Sequence, residues 1–220
     1  RVTPEIGLLA GMAVAVLLSL PIGLIAIRRQ GIYFSMITLA VAQMVFFVCL
    51  QAASFTGGDD GLQGVPRGKL FGLISLESDL NLYYLVATLF VFGFLLIRRI
   101  VSSPFGQVLK MIRENETRAI SLGFDVSRYK LLAFVLSAML SGLAGAMKTI
   151  VMGFTTLSDV HWSMSGEVIL MTLLGGVGTL FGPIAGAAIV VSLQNTLADK
   201  VGSWVNVIIG VIFVTCVLAF

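Results

Sequence analysis

The chain has 220 residues, of which 58% are hydrophobic and 11% charged, and its mean hydropathy is +1.03. A soluble domain keeps about a quarter of its residues charged, so this composition excludes an ordinary water-soluble globule and points to a lipid bilayer as the solvent. The net charge of +3 speaks through its placement, because Lys and Arg beside spans set orientation; it gives no reason to expect a nucleic-acid partner.

A helix crossing about 30 Å of hydrocarbon needs about 20 apolar residues. Uncharged runs of that order cover residues 6–27, 31–58, 80–97, 168–198 and 201–220, and a sixth, 131–158, is interrupted only by Lys148. The runs are continuously apolar and lack the alternation of lipid-facing strands, which favours helices over a barrel. The expected fold is all-α: a polytopic α-helical membrane protein of about six to seven membrane segments, forming one transmembrane domain over residues 1–220. The chain begins at Arg1 without a methionine and stops inside an apolar run, and it reads as a segment of a longer protein. No signal peptide is recognisable, because the first apolar stretch is too long and lacks a basic flank. Cys49 and Cys216 sit in apolar runs, where a thiol behaves as a small hydrophobe and no metal or disulfide motif can be read.

The first run carries Gly7, Gly11, Ala15, Ser19 and Gly23 at every fourth position, the spacing of a close helix–helix contact. Arg28 and Arg29 follow it directly, and residues 98–130 hold seven of the 14 basic residues, so both connections are expected in the cytoplasm. The connection between them, 56–79, carries Arg67 and Lys69 against Asp59, Asp60, Glu77 and Asp79, and is expected outside. Its Gly-rich start, Gly57, Gly58, Asp59, Asp60 and Gly61, suggests tight turns with exposed amides, able to hold a carboxylate or dock a binding protein; a plain turn-rich connector is the alternative. The EF-hand ligands are missing, so no metal site is expected.

The stretch 98–130 does not look like a membrane loop. Ser102, Ser103 and Pro104 open a helix, with Gln107 at capping-box distance from Pro104. Val108, Met111, Ile112 and Asn115 share one face, while Lys110, Arg113 and Glu114 lie elsewhere. Ala119, Ile120 and Leu122 continue the apolar pattern to a stop at Gly123. One amphipathic helix from Pro104 to Gly123 is predicted, lying on headgroups or docked in a partner's groove; a solvated connector is the alternative.

Ala138, Gly142 and Ala146 form a second small-residue ladder, and Gly178, Gly182 and Gly186 a third. Lys148 is near a span end and can snorkel. The run 168–198 would be about 46 Å long as one helix, and Gly175, Gly176, Gly178, Gly182 and Pro183 punctuate it. Two shorter helices joined by a Gly-rich break are predicted, against the alternative of one kinked helix. Glu167, at the mouth of this run, is either a counterion for a substrate ammonium or an acid favoured at a helix start. Gln43, Gln51, Gln194 and Asn195 are expected to bond between helices, His161 to lie at the surface, and Trp162 and Trp204 to anchor span ends. No GxxxxGK[ST] loop and no catalytic constellation is present, so neither nucleotide hydrolysis nor other catalysis is expected of this chain.

The strings Ser103-Pro104-Phe105-Gly106, Ile112-Arg113-Glu114-Asn115-Glu116, Ala119, Leu122-Gly123 and Lys130 resemble the coupling region of branched-chain amino-acid ABC importer permeases of the LivM type. Gly31-Ile32-Tyr33-Phe34, the string 56–62, Gly142-Leu143-Ala144-Gly145, and 174–179 with Gly182-Pro183 agree in order and spacing. The resemblance implies a multi-pass protein of the bacterial inner membrane. Two homologous permease subunits would form the pathway, two cytoplasmic ATPases would hydrolyse the ATP, and an external binding protein would deliver substrate; no cofactor would sit in this chain. It implies ATPase-coupling roles for Pro104, Gly106, Arg113, Glu114, Glu116, Ala119 and Gly123. The importer pattern of Glu-Ala-Ala followed after three residues by Gly keeps Ala119 and Gly123, but Thr117 and Arg118 stand in its first two places and Glu116 is one position early. Pathway or binding-protein contacts are expected at Gly57, Gly58, Asp59, Asp60, Gly61, Glu167, Gly175, Gly176 and Gly178. The alternatives are an ABC permease for urea or another small solute, and an ion-coupled secondary transporter.

Overall fold

The computed structural model describes residues 3–29, 31–70, 74–176, 178–201, 210–211 and 214. The expected last span, 201–220, with Trp204 and Cys216, lies almost wholly outside the described residues. Contacts divide the chain into two units, residues 1–159 and 160–220.

In the first unit, α1 (Pro4–Ala26), α2 (Ile32–Gln51), α4 (Asp79–Ser102) and α7 (Val126–Met152) are the helices, among the described residues, long and apolar enough to cross a membrane. The second span is shorter than its apolar run. It stops at Gln51, and the chain turns at Ala52 into a four-residue helix, α3 (Ala53–Thr56), and a 3-10 turn (Gly58–Asp60). A two-residue antiparallel pair follows, β1 (Lys69–Leu70) with β2 (Ile74–Ser75), Lys69 facing Ser75.

The first two small-residue ladders meet each other. A Cβ on Gly142 would lie 2.6 Å from the Ala15 Cβ and 2.7 Å from the Gly11 carbonyl oxygen, and one on Gly11 would lie 2.9 Å from the Ala146 Cβ. Without a hydrophobic drive between helices in lipid, such backbone approach is what associates them. Leu8, Leu76, Leu82 and Ile150 close a core between α1, α4 and α7. Large side chains such as Leu17, Ile25, Phe47 and Phe92 remain exposed, which suits a lipid surround and would be unsustainable in water.

The predicted single helix from Pro104 to Gly123 is two helices, α5 (Pro104–Glu114) and α6 (Glu116–Ser121), because Asn115 is extended between them. The cap of α5 is Ser103 and not Pro104, so Gly106, not Gln107, stands third in the helix. α7 starts at Val126, five residues before its apolar run, and takes Arg128 and Lys130 into its first turns.

In the second unit the run 168–198 is indeed two pieces: α8 (Trp162–Gly175) and α9 (Gly182–Val201). At about 1.5 Å per residue, the 14 residues of α8 reach roughly 21 Å, too short to cross about 30 Å alone. α9 runs on through Asp199 and Lys200, the two charged residues between the uncharged runs 168–198 and 201–220.

Candidate functional site

At one end of the first unit, α5 and α6 form a folded elbow on α7. Ser103 Oγ donates to the Ile100 carbonyl (2.6 Å) and accepts from the Gly106 amide (3.4 Å), tying α5 to the end of α4. Gly106 is buried, and a Cβ there would press on the Val101 and Ile100 carbonyls, so no larger residue allows this turn. α5 turns Val108, Leu109, Met111 and Ile112 inward and leaves Gln107, Lys110, Arg113 and Glu114 in the open. Asn115 Oδ1 accepts from the Arg118 amide at 3.0 Å and restarts the helix as α6.

The elbow is sealed by Ile112, Ala119 and Val126, with Ala119 fully buried. Phe105 stacks on Tyr129 at 5.6 Å between ring centres, and Phe124 meets the same ring edge-on at 6.0 Å. Glu116 and Lys130 form an ion pair of 2.8 Å, each side chain 31% exposed, joining α6 to α7. Gly123 ends α6 at φ +86°, the left-handed conformation that favours glycine, and Asp125 then caps α7 by accepting from the Arg128 amide at 3.2 Å. What α6 and its C-cap residue present outward includes Thr117, Arg118, Ile120 and Leu122, the two apolar side chains 59% and 62% exposed. The elbow thus leaves an apolar tip uncovered.

At the opposite end of α7 the Gly-rich connection is laced to the segment that follows the helix. Leu62 and Thr155 exchange amide-to-carbonyl bonds of 3.0 and 2.9 Å, and the Val65 amide donates to the Gly153 carbonyl at 2.9 Å. Arg67 donates to the Val151 carbonyl (3.1 Å) and pairs with Asp79 (3.2 Å). The amides of Gly57, Gly58 and Gly61 are engaged within the connection, by the Ala53 carbonyl, Thr56 Oγ1 and the Gly58 carbonyl. The exposed-amide cradle expected from the sequence is therefore absent at those three residues. Asp60 is exposed.

Lys148 meets Asp159 at 2.6 Å instead of reaching only for solvent. Burial raises the Asp159 pKa, but the Lys148 ammonium and the Thr156 amide outweigh it and hold the carboxyl below its usual value.

A profile of the family described as "Branched-chain amino acid transport system / permease component" matches residues 2–217. The chain belongs to this permease family. The high-affinity branched-chain amino acid transport system permease protein LivM of Escherichia coli (strain K12) is 29% identical over 218 residues, 89% of this chain and 50% of that protein. LivM of Salmonella typhimurium is 28% identical, over 87% of this chain and 49% of that protein. The L-arabinose ABC transporter permease protein AraH of Azospirillum brasilense is 28% identical over 87% of this chain. This chain spans about half the length of the LivM relatives. No solved structure matches.

In this branched-chain permease family member, the residues expected to couple to a partner take different places. Arg113, Glu114 and Pro104 are exposed, Glu116 is committed to Lys130, and Gly106 and Ala119 are buried framework. Ile120 and Leu122, read from the sequence as continuing the apolar pattern with Ala119, are exposed where Ala119 is buried. At about 3.6 residues per turn Ala119, seven residues after Ile112, keeps its face and joins its cluster across the break at Asn115, whereas Ile120 and Leu122 fall off that face.

The expected pathway residues divide between the units. Gly57, Gly58, Asp59, Asp60 and Gly61 are in the first unit; Glu167, Gly175, Gly176 and Gly178 are in the second. Glu167 is exposed on the second turn of α8, whose first turn holds no acid, so the helix-start reading does not apply. Gly175 and Gly186 let α8 and α9 approach closely, since a Cβ on Gly186 would press on the Met171 carbonyl and lie 2.8 Å from the Gly175 amide. Gly176 and Gly178 have φ of +96° and +109° in the break, and Gly178 touches nothing that a side chain would meet, so the third ladder does not include it as a contact. Thr179 Oγ1 braces the break, donating to the Gly176 carbonyl (3.3 Å) and accepting from the Gly182 amide (3.0 Å). His161 is more than a surface residue: its Nδ1 caps α8 by accepting from the Ser163 amide at 3.3 Å. Among the described residues, Gln43, Gln51, Gln194 and Asn195 form no hydrogen bond between helices, and no three His, Cys, Asp or Glu residues gather as metal ligands.

Proposed function

We propose that this chain is part of the permease subunit of an ATP-driven importer in a bacterial inner membrane, moving branched-chain amino acids inward. It has no catalytic role of its own. The observation that carries the reading is the family match over residues 2–217, joined to an elbow of the kind such a subunit needs. Residues 98–130 and the Arg28–Arg29 turn face the cytoplasm, by the excess of basic residues. Two cytoplasmic ATPases hydrolyse the ATP, a second permease subunit completes the pathway, and an external binding protein supplies the substrate.

In this mechanism Ile120 and Leu122 seat α6 in a groove on the ATPase, and Arg113 and Glu114 border the contact. Closure of the ATPases displaces α6. Because Ala119 and the Glu116–Lys130 pair fix α6 to α7, the displacement enters a helix of 27 residues instead of being absorbed by a loop. The Gly176–Gly178 break and the 57–61 turn are the places where backbone geometry can adjust along the pathway.

A related permease for a different small solute is a second reading, favoured by the similarity to proteins named as an autoinducer 2 import system permease and an L-arabinose ABC transporter permease. The test is uptake into inside-out and right-side-out membrane vesicles carrying the full-length protein and its partners. Gly123→Trp should leave the protein inserted and ATP hydrolysis running while uptake of labelled leucine collapses; undiminished uptake removes the coupling role, and uptake of another solute but not leucine selects the second reading.

A further inference from the structure

The elbow does not lie flat on the helix bundle. Between it and the turn after α1 is a cleft of about 670 Å³, lined by Ile27, Arg29, Gly31, Phe34, Leu109 and Phe134, with Ala133, Glu116 and Lys130 completing its wall. That volume falls within the roughly 300–1,000 Å³ range of sites that enclose drug-sized molecules, and exceeds what one small amino acid needs.

The cleft has two chemically different halves. Its apolar lining includes the half-buried Phe34 and Phe134, edge-to-face at 6.4 Å between ring centres. Its rim carries cations. Lys130 is balanced by Glu116, whereas the exposed Arg29 has no hydrogen-bonding or ionic partner among the described residues, and Arg28 is exposed beside it. Gly31 lines the same cleft and starts α2 without a side-chain cap; its carbonyl takes the Phe34 amide at 3.2 Å, which leaves the amides before it for a ligand. The rim stands three residues beyond the last residue of α1, and Tyr33, 69% exposed, sits at the same level, as an interfacial aromatic does. An unpaired cation at headgroup level above an apolar slot fits an anionic amphiphile.

We propose that this cleft binds an anionic phospholipid, its phosphodiester held at Arg29 and the start of α2 and an acyl chain laid against Phe34, Ala133 and Phe134. The lipid would wedge the elbow against the bundle, so that the bilayer's anionic content tunes how stiffly α5 and α6 are carried. The shared chemistry is a phosphate monoanion, and the site takes it from lipid because a free phosphate would leave the apolar half empty.

The test uses the full-length permease in mild detergent and measures retained lipid by native mass spectrometry after exchange into equimolar phosphatidylglycerol and phosphatidylcholine. The expected result is preferential retention of phosphatidylglycerol, lowered about fivefold by Arg29→Gln and further by Arg29→Glu, but unchanged by Phe92→Leu on the outer surface of α4. Equal retention of the two lipids, or full preference in Arg29→Gln, overturns the proposal. Displacement of phosphatidylglycerol by millimolar inorganic phosphate also overturns it, since that identifies a free-anion site. If an Arg29 variant does not fold, a photoactivatable phosphatidylglycerol on the unaltered protein must crosslink at Phe34, Ala133 or Phe134; crosslinks only elsewhere refute the site. No transport is read, so failure here is independent of failure of the importer reading.

Discussion

Lys148 Nζ donates to Asp159 Oδ1 at 2.6 Å, fastening the last turns of α7 to the 3-10 turn Leu157–Val160 across the left-handed Gly153. The same carboxylate accepts from the Thr156 amide through its other oxygen at 3.2 Å. The pair therefore fixes the direction in which the chain leaves the first unit's longest helix.

Its pH dependence has a definite sign. The Asp159 carboxyl titrates below its reference value of 3.8, so the folded state is favoured above that pH and the contribution disappears as pH falls through the lower, folded-state value. Asp159→Asn should cost about 1 kcal/mol at neutral pH, as a partly exposed pair does. Thermal unfolding in detergent should give a difference between the two proteins that is constant from neutral pH to about pH 4 and vanishes under stronger acid; a difference that grows on acidification contradicts the assignment.

The α1–α7 contact makes a paired prediction. Gly142→Leu forces atoms into the space held by Ala15 and the Gly11 backbone, and should cost about 1–3 kcal/mol. Gly7, on the same predicted ladder as Gly11, has nothing within 4 Å of an added Cβ, so Gly7→Ala should be neutral or mildly stabilising. Midpoints of detergent-monitored unfolding separate the two.

Gly61 and Gly64 both hold positive φ, at +68° and +70°, but only Gly61 backs onto the Thr155 carbonyl. Alanine at Gly64 should cost about 1–2 kcal/mol for the left-handed backbone alone. Alanine at Gly61 should cost more, because it also opens the Leu62–Thr155 pairing. Hydrogen exchange at the Leu62 and Thr155 amides is the direct measure: it should accelerate in Gly61→Ala and stay protected in Gly64→Ala.

The Glu116–Lys130 pair predicts charge-swap rescue in transport. Glu116→Lys should lower ATP-driven uptake in reconstituted vesicles by roughly fivefold, from a loss of about 1 kcal/mol with added like-charge repulsion. The double variant Glu116→Lys with Lys130→Glu should recover most of it. A double variant as impaired as the single one would mean that Glu116 acts on a partner and not through α7.

The sequence alone determined that the chain is helical and lives in a bilayer, because spans of apolar residues and their basic flanks are local properties set by the solvent. It also located the break between α8 and α9, since glycines at Gly175, Gly176 and Gly178 weaken a helix wherever it lies. Spacing marked the Gly11 and Gly142 ladders, but which ladder faces which is a relation between distant segments, and only packing could decide it. The same holds at the elbow. That Ala119 stays packed with Ile112 across the break at Asn115 depends on Val126 closing over both, and that Glu116 answers Lys130 rather than a partner depends on α6 folding back. Local chemistry is written along the chain, whereas the pairing of its faces is chosen by the tertiary structure that minimises exposed backbone and unfilled volume.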